Sequence, residues 1–121
     1  MRLVLAAALA LTAGLPAGLP AAAAEDGRAL FNAQCKSCHT INGVSGVAGP
    51  SLKGIAGRKI ASTPGYVYSS GLKAKAGTWT DANLEAYLTA PVTFAPGNRM
   101  FARVAQPEAR KAIIGYLKTL H

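Results

Sequence analysis

The 121 residues carry 13 Lys and Arg against 5 Asp and Glu, a net charge of +8, in a length that fits one domain and excludes a second substantial one. Only two cysteines are present, Cys35 and Cys38. A disulfide between them would close a loop with two intervening residues and restrain the unfolded chain very little, so a disulfide scaffold is excluded as well.

Taken in chain order, Arg2 precedes the apolar run Leu3 to Leu11, and the segment closes on Ala22, Ala23 and Ala24. That pattern predicts an export signal over residues 1–24, cleaved after Ala24, and a mature domain over 25–121 in the periplasm. A membrane anchor fits less well, because Leu3 to Leu15 is shorter than the ~20 residues a spanning helix needs and Pro16 and Pro20 follow. The mature 97 residues retain 12 of the 13 cations and all five acids. Export removes nucleic acid as a sensible ligand. The cations are spread along the chain, from Arg28 and Lys36 to Lys111 and Lys118, so they favour docking to an acidic protein face.

The first mature helix is predicted from about Asp26 to Cys38, with Glu25 and Asp26 at its positive end and Leu30, Phe31 and Ala33 as its apolar surface. Residues Ile41 to Ser62, rich in glycine and holding Pro50, form a loop too long for a compact domain unless a cofactor anchors its middle. A short helix is expected over Tyr66 to Lys73. Another is expected over Asp81 to Thr89, with Thr80 as N-cap, Leu84, Tyr87 and Leu88 on one face, and Pro91 stopping it. After the loop through Pro96, Gly97 and Asn98, a last helix takes Pro107 into its first turn and presents Ile113, Tyr116, Leu117 and Leu120 as a stripe. That stripe is expected to cross the first helix, with Gly27 and Gly115 permitting close approach. No stretch alternates long enough to be a strand, so the fold class is all-α.

The pentapeptide Cys35, Lys36, Ser37, Cys38, His39 matches CxxCH, the attachment motif of a c-type haem. Two thiols three positions apart on one turn can each add to a vinyl group of the same porphyrin, which places the adjacent imidazole beneath the iron. Thiol redox and zinc binding are the rival chemistries of such residues. A closed zinc site would have to take the C-terminal His121 as its fourth ligand and has no second cysteine pair, and a thioredoxin-like protein needs a parallel sheet that the sequence does not encode.

A haem that carries electrons takes two strong axial ligands, commonly with Met or His as the second. Met1 leaves with the signal, so Met100 is the one methionine of the mature domain. It follows a proline-glycine turn and is flanked by Asn98 and Arg99, an unusual setting for a core gap-filler. His39/Met100 ligation would raise the potential of the iron and leave no coordination site for a substrate, which argues for a carrier and against an enzyme. An open site that binds peroxide or a small gas is the alternative if Met100 does not ligate.

Beyond CxxCH, the chain resembles class I cytochrome c of the mitochondrial and bacterial c2 type across essentially all of Glu25 to His121. The resemblance rests on Gly27 and Phe31, on Gly49, Pro50 and Leu52, and on Gly57, Arg58 and Lys59. It continues through Pro64, Gly65, Tyr66 and Tyr68, through Trp79, Leu84, Tyr87, Leu88 and Pro91, and through Pro96, Gly97, Met100, Tyr116 and Leu117.

The resemblance implies short helices and loops wrapped around one haem c, bound through Cys35 and Cys38 and ligated by His39 and Met100. It also implies that Pro50 offers its carbonyl to His39, that Tyr68, Trp79 and Arg58 address a haem propionate, and that the Tyr87 hydroxyl lies close to the Met100 sulfur. Core packing of Trp79 and Tyr87 and a plain surface role for Arg58 are the alternatives. Two positions depart from the family pattern: Leu72 where an asparagine is usual, and Asn98 where a threonine is common. The implied role is a periplasmic shuttle, monomeric, working in a respiratory or photosynthetic chain. Its donor would be a quinol-oxidising complex or periplasmic dehydrogenase, and its acceptor a terminal oxidase or reaction centre.

Overall fold

In the computed structural model, residues 8–10 and 21–121 are described, so most of the expected export signal lies outside the described residues. Five helices occur among them: α1 (Ala21–Gln34), α2 (Ser70–Lys73), α3 (Asp81–Thr89), α4 (Pro91–Phe94) and α5 (Pro107–Leu117). Extended pairing is confined to one isolated antiparallel bridge between Lys59 and Thr78. The fold is all-α, as the sequence predicts.

Helix α1 begins five residues before the predicted start and ends earlier. The expected cleavage point after Ala24 therefore falls in its first turn, and Asp26 sits in the second turn, away from the helix N-terminus. The early end has a hydrogen-bonding cause. The Phe31 carbonyl accepts from both Cys35 N and Lys36 N, and the Cys35 carbonyl then accepts from Cys38 N and His39 N, so the regular ladder gives way to turns through the CxxCH residues. Phe31 is 1% exposed and Leu30 half-buried, whereas Ala33 faces solvent and adds nothing to the core.

Helices α1 and α5 pack on each other. At their contact a Cβ on Gly27 would lie 2.2 Å from the Ala112 carbonyl oxygen and 3.0 Å from Tyr116 Cβ, so only glycine allows the approach. Gly115 has no such neighbour, which removes the second glycine expected at the crossing. Phe31 and Tyr116 meet with ring centroids 5.3 Å apart, and Ile113, Ile114 and Leu117 complete the buried face of α5.

The helix expected over Tyr66 to Lys73 forms only from Ser70, because the Ser69 side chain accepts from Leu72 N and caps it there. Tyr66 to Tyr68 stay irregular, with the two tyrosine rings edge to face at 4.9 Å. Thr80 caps α3 as expected, accepting from Asn83 N. Pro91 ends that helix and at the same time starts α4, where its missing N–H costs nothing.

The long loop from Ile41 to Ser62 carries its own ties. Ser51, 1% exposed, receives Gly43 N at 2.9 Å on its hydroxyl and gives its backbone N–H to Ser45 Oγ at 3.0 Å, while Ser45 Oγ donates to the Pro64 carbonyl. Two serines thus supply part of the anchoring that a loop of this length needs. Further on, Trp79 N donates to Arg58 O and Gly57 N to Trp79 O. This main-chain pairing turns the indole into the core, 7% exposed.

Candidate functional site

A cavity of about 400 Å³ lies inside this frame, and its walls are mostly apolar. The turn after α1 brings Cys35, Cys38 and His39 to it, and the loop between α4 and α5 brings Met100. Pro50, Tyr68, Trp79 and Tyr87 line it as well, together with Leu52, Leu72 and Leu88. Of the nine residues singled out from sequence, Arg58 alone does not reach the cavity wall. Its guanidinium lies over Gly54, where a Cβ would be 3.7 Å from Nη2.

On one side the His39 ring is fixed by main chain. Nδ1 is 2.9 Å from the Pro50 carbonyl oxygen, so Nδ1 carries the proton and Nε2 remains the free nitrogen. Gly49 presses on the same ring: a Cβ there would lie 2.9 Å from Cε1 and Nδ1 and 2.7 Å from the Cys38 carbonyl oxygen. Burial pushes the imidazole below its ordinary value, partly opposed by the Pro50 hydrogen bond. The ring is thus held neutral, as a metal ligand must be.

The thiols of Cys35 and Cys38 are both free. Burial pushes the Cys35 thiol above its ordinary value. That direction leaves Cys35 a less nucleophilic thiol.

On the other side, Tyr87 packs against Trp79 at 5.0 Å and Phe94 at 5.6 Å between ring centroids. Its hydroxyl receives the side-chain amide of Asn98 at 2.9 Å, and the same amide nitrogen donates to the Met100 carbonyl at 3.1 Å. Burial raises the Tyr87 phenol above its ordinary value, with the Asn98 hydrogen bond acting in the opposite direction. Tyr68 is held differently, its oxygen accepting the Thr63 backbone N–H at 3.2 Å.

The loop carrying Met100 has three further braces that the sequence did not disclose. A Cβ on Gly71 would lie 2.0 Å from the Pro96 carbonyl oxygen, so α2 touches the loop's backbone. Arg99 donates to the Val67 carbonyl and lies over the Tyr66 ring. Arg110, 8% exposed, donates through Nη1 to Val104 O at 2.8 Å and Ala105 O at 2.9 Å and pairs through Nε with Glu85. A charge buried on an otherwise apolar helix face could have flagged Arg110; Asn98 stands out in the sequence only as a departure from the family pattern, with no sign of its partners.

These residues fit a covalently held haem. Two unpaired thiols at CxxC spacing and a neutral imidazole meet at one apolar space whose volume falls in the range of cofactor pockets.

Comparison with known proteins agrees with this chemistry. The sequence model of the family described as Cytochrome c matches residues 24–121. The chain is 43% identical over 98 residues to cytochrome c2 iso-1 of Magnetospirillum fulvum, covering 78% of this chain and 98% of that protein. It is 42% identical over 99 residues to the cytochrome c-type protein cyt cy of Rhodobacter capsulatus, covering 80% of this chain and 49% of the relative. Among solved structures, cytochrome cH from Methylobacterium extorquens superposes with a TM-score of 0.73 at 38% identity, over 79% of this chain and 97% of that one.

Proposed function

The chain belongs to the cytochrome c family, and on that premise we propose that residues 25–121 form a one-electron carrier in which one haem c is joined to Cys35 and Cys38 and ligated by His39 and Met100. The observation that carries this reading is that these four side chains, from two segments of which His39 and Met100 stand 61 positions apart, line one apolar cavity. Haem bound there supplies a reversible one-electron couple. Everything else is done by the polypeptide.

Pro50, by accepting from His39 Nδ1, leaves Nε2 as the ligating atom and fixes the ring's direction. Met100 offers a soft thioether, which favours the reduced ion and a high potential. Leu52, Leu72 and Leu88 keep water from the cavity. Tyr68 and Trp79 stand on its wall as donors for a propionate. Arg58 assists from outside that wall, its carbonyl holding Trp79 N at 2.8 Å. With His39 and Met100 holding the haem iron, no coordination site would be left for a substrate, which favours a carrier over an enzyme.

Residues 1–24 direct export to the periplasm, where the mature protein works as a monomer. Its dispersed cations suit partners with acidic docking faces: a quinol-oxidising complex or periplasmic dehydrogenase as donor, a terminal oxidase or reaction centre as acceptor.

The test is the visible spectrum of protein made in a periplasm with haem-attachment machinery, oxidised and then reduced. Sharp reduced bands with a weak oxidised far-red band, the mark of iron bound to thioether sulfur, are expected. Met100→Ala should abolish the far-red band and lower the potential. An unchanged spectrum in that variant would remove Met100 from the iron, and a colourless wild type would remove the haem.

A further inference from the structure

Trp79 is 7% exposed and lines the cavity, yet its indole N–H meets no acceptor among the described residues. Of their side-chain polar atoms only Thr63 Oγ1 is both enclosed and without a partner. Trp79 Nε1 is therefore not enclosed by packing and opens onto the cavity, as a donor to a propionate must. Main-chain bonds to Arg58 and Gly57 fix the Trp79 backbone but not its side-chain torsions, so the direction of the N–H depends on the neighbouring rings. Phe94 lies nearly parallel to the indole, with centroids 5.7 Å and planes 23° apart, whereas Tyr87 is tilted by 56°.

Phe94 is itself weakly held. It ends α4, a single turn of four residues whose N-cap makes no side-chain hydrogen bond, and it is only half-buried. Lys75 supplies the missing support. Its Nζ stands 4.5 Å from the centroid of the Phe94 ring, and its backbone N–H donates to Leu72 O at 3.1 Å at the end of α2. Among the described residues no carboxylate pairs with this half-buried ammonium, so its favourable contact is the negative face of the ring.

We propose that Lys75 is a positioning residue for the cofactor site: its ammonium holds the Phe94 ring, the Phe94 ring holds the indole, and the Trp79 N–H is thereby kept aimed at a haem propionate. The inference rests on the reading of the cavity as a haem site with Trp79 as propionate donor. Lys75 does not line the cavity and acts only through the two rings.

The chain has one tryptophan, so nitrogen-labelled, reduced holoprotein gives a single indole N–H signal by NMR. Its hydrogen exchange is measured for wild type, Lys75→Met, Phe94→Leu and the double variant. Lys75→Met keeps most of the stem and removes the charge. It should shift the signal and speed exchange roughly two- to fivefold, the equivalent of a partly exposed cation–π contact. That change should be lost when Phe94→Leu is already present. Lys75→Arg, which keeps a cation over the ring, should restore the wild-type rate. Lys73→Met, which removes an equal charge from the exposed end of α2, should leave it unchanged. The proposal is overturned by a signal indifferent to Lys75→Met, by equal changes in both Phe94 backgrounds, or by an equal change from Lys73→Met, which would trace the effect to charge alone. A wild-type indole N–H that exchanges as fast as a free one would instead overturn Trp79 as propionate donor, and the proposal with it. That result is distinct from indifference to Lys75 in a holoprotein whose indole is protected.

Discussion

The His39 and Met100 sides of the cavity are held by different parts of the polypeptide. Around His39 the contacts are main-chain ones: the Pro50 carbonyl on Nδ1 and the Gly49 backbone against the ring. Around Met100 side chains carry most of the ties, beside one main-chain contact where Gly71 packs on the Pro96 carbonyl. Asn98 holds Tyr87 and the Met100 carbonyl, and Arg110 reaches from α5 to the Val104 and Ala105 carbonyls while pairing with Glu85 on α3. A main-chain contact survives most substitutions and fails when something is inserted. A side-chain contact fails when it is truncated. The His39 side should therefore break by insertion, whereas the Met100 side should also break by truncation.

The largest effect is expected from insertion on the His39 side. In Gly49→Val the new Cβ would start 2.7 Å from the Cys38 carbonyl and 2.9 Å from the imidazole, contacts that neither backbone nor a ligating ring can relieve cheaply. A loss of at least about 3 kcal/mol is expected, at the upper end for overpacking. It should be read as a fall in the denaturation midpoint together with loss of haem-bound protein. A variant that keeps its stability and spectrum would show that the loop at Gly49 yields, and the contrast between the two sides would fail.

Truncation on the Met100 side comes next. Arg110→Ala strips two carbonyls of a charged donor, at roughly 1.5–3 kcal/mol for such bonds. The Glu85 carboxylate left behind has a side chain 43% exposed and can hydrate, so the full penalty of an unpaired buried charge does not arise. A total of about 2–3 kcal/mol is expected. The distinguishing sign is where it acts: in a denaturant titration the far-red band should vanish before Trp79 fluorescence reports unfolding. Coincident transitions would make Arg110 a brace of the whole fold and not of the methionine loop.

The same division explains how much the sequence discloses. CxxCH, Pro50 and the cap at Thr80 depend on neighbours in the chain or on one rigid residue, and local spacing encodes them. The crossing of the terminal helices is legible from the stripe on α5, but only Gly27 of the two candidate glycines lies at the contact, because a helix face is readable and its register against another helix is not. The ends of α1 and α2 depart from the sequence expectation for a related reason. Shared acceptance at the Phe31 carbonyl and capping by Ser69 shorten helices that propensity would extend. Asn98 to Tyr87 spans 11 positions, Arg110 to Glu85 spans 25, and Ser45 to Pro64 spans 19. No periodicity marks such pairs, so the polar ties of the long loop and of the methionine side emerge only from the fold. Arg58 fails in the other direction: its place in the chain matches the family, yet its side chain lies off the cavity while its carbonyl positions Trp79.

The smallest effect tests whether burial, and not the joining of α3 to α5, gives Arg110 its weight. Lys118 on the C-terminal side of α5 pairs with Asp81 at the start of α3 at 3.0 Å, so it links the same two helices as Arg110 and Glu85. Its side chain is 52% exposed and that of Asp81 66%, so water and salt screen the attraction and the lysine pays rotamer entropy to hold it. Lys118→Ala should therefore change stability by no more than about 0.5 kcal/mol, with the difference disappearing at high salt and the far-red band untouched. Were Lys118→Ala to cost as much as Arg110→Ala, the tether between helices would be what matters. A negligible cost, beside a large one for Arg110, leaves the buried donation to the Val104 and Ala105 carbonyls as the feature that holds the methionine loop in place.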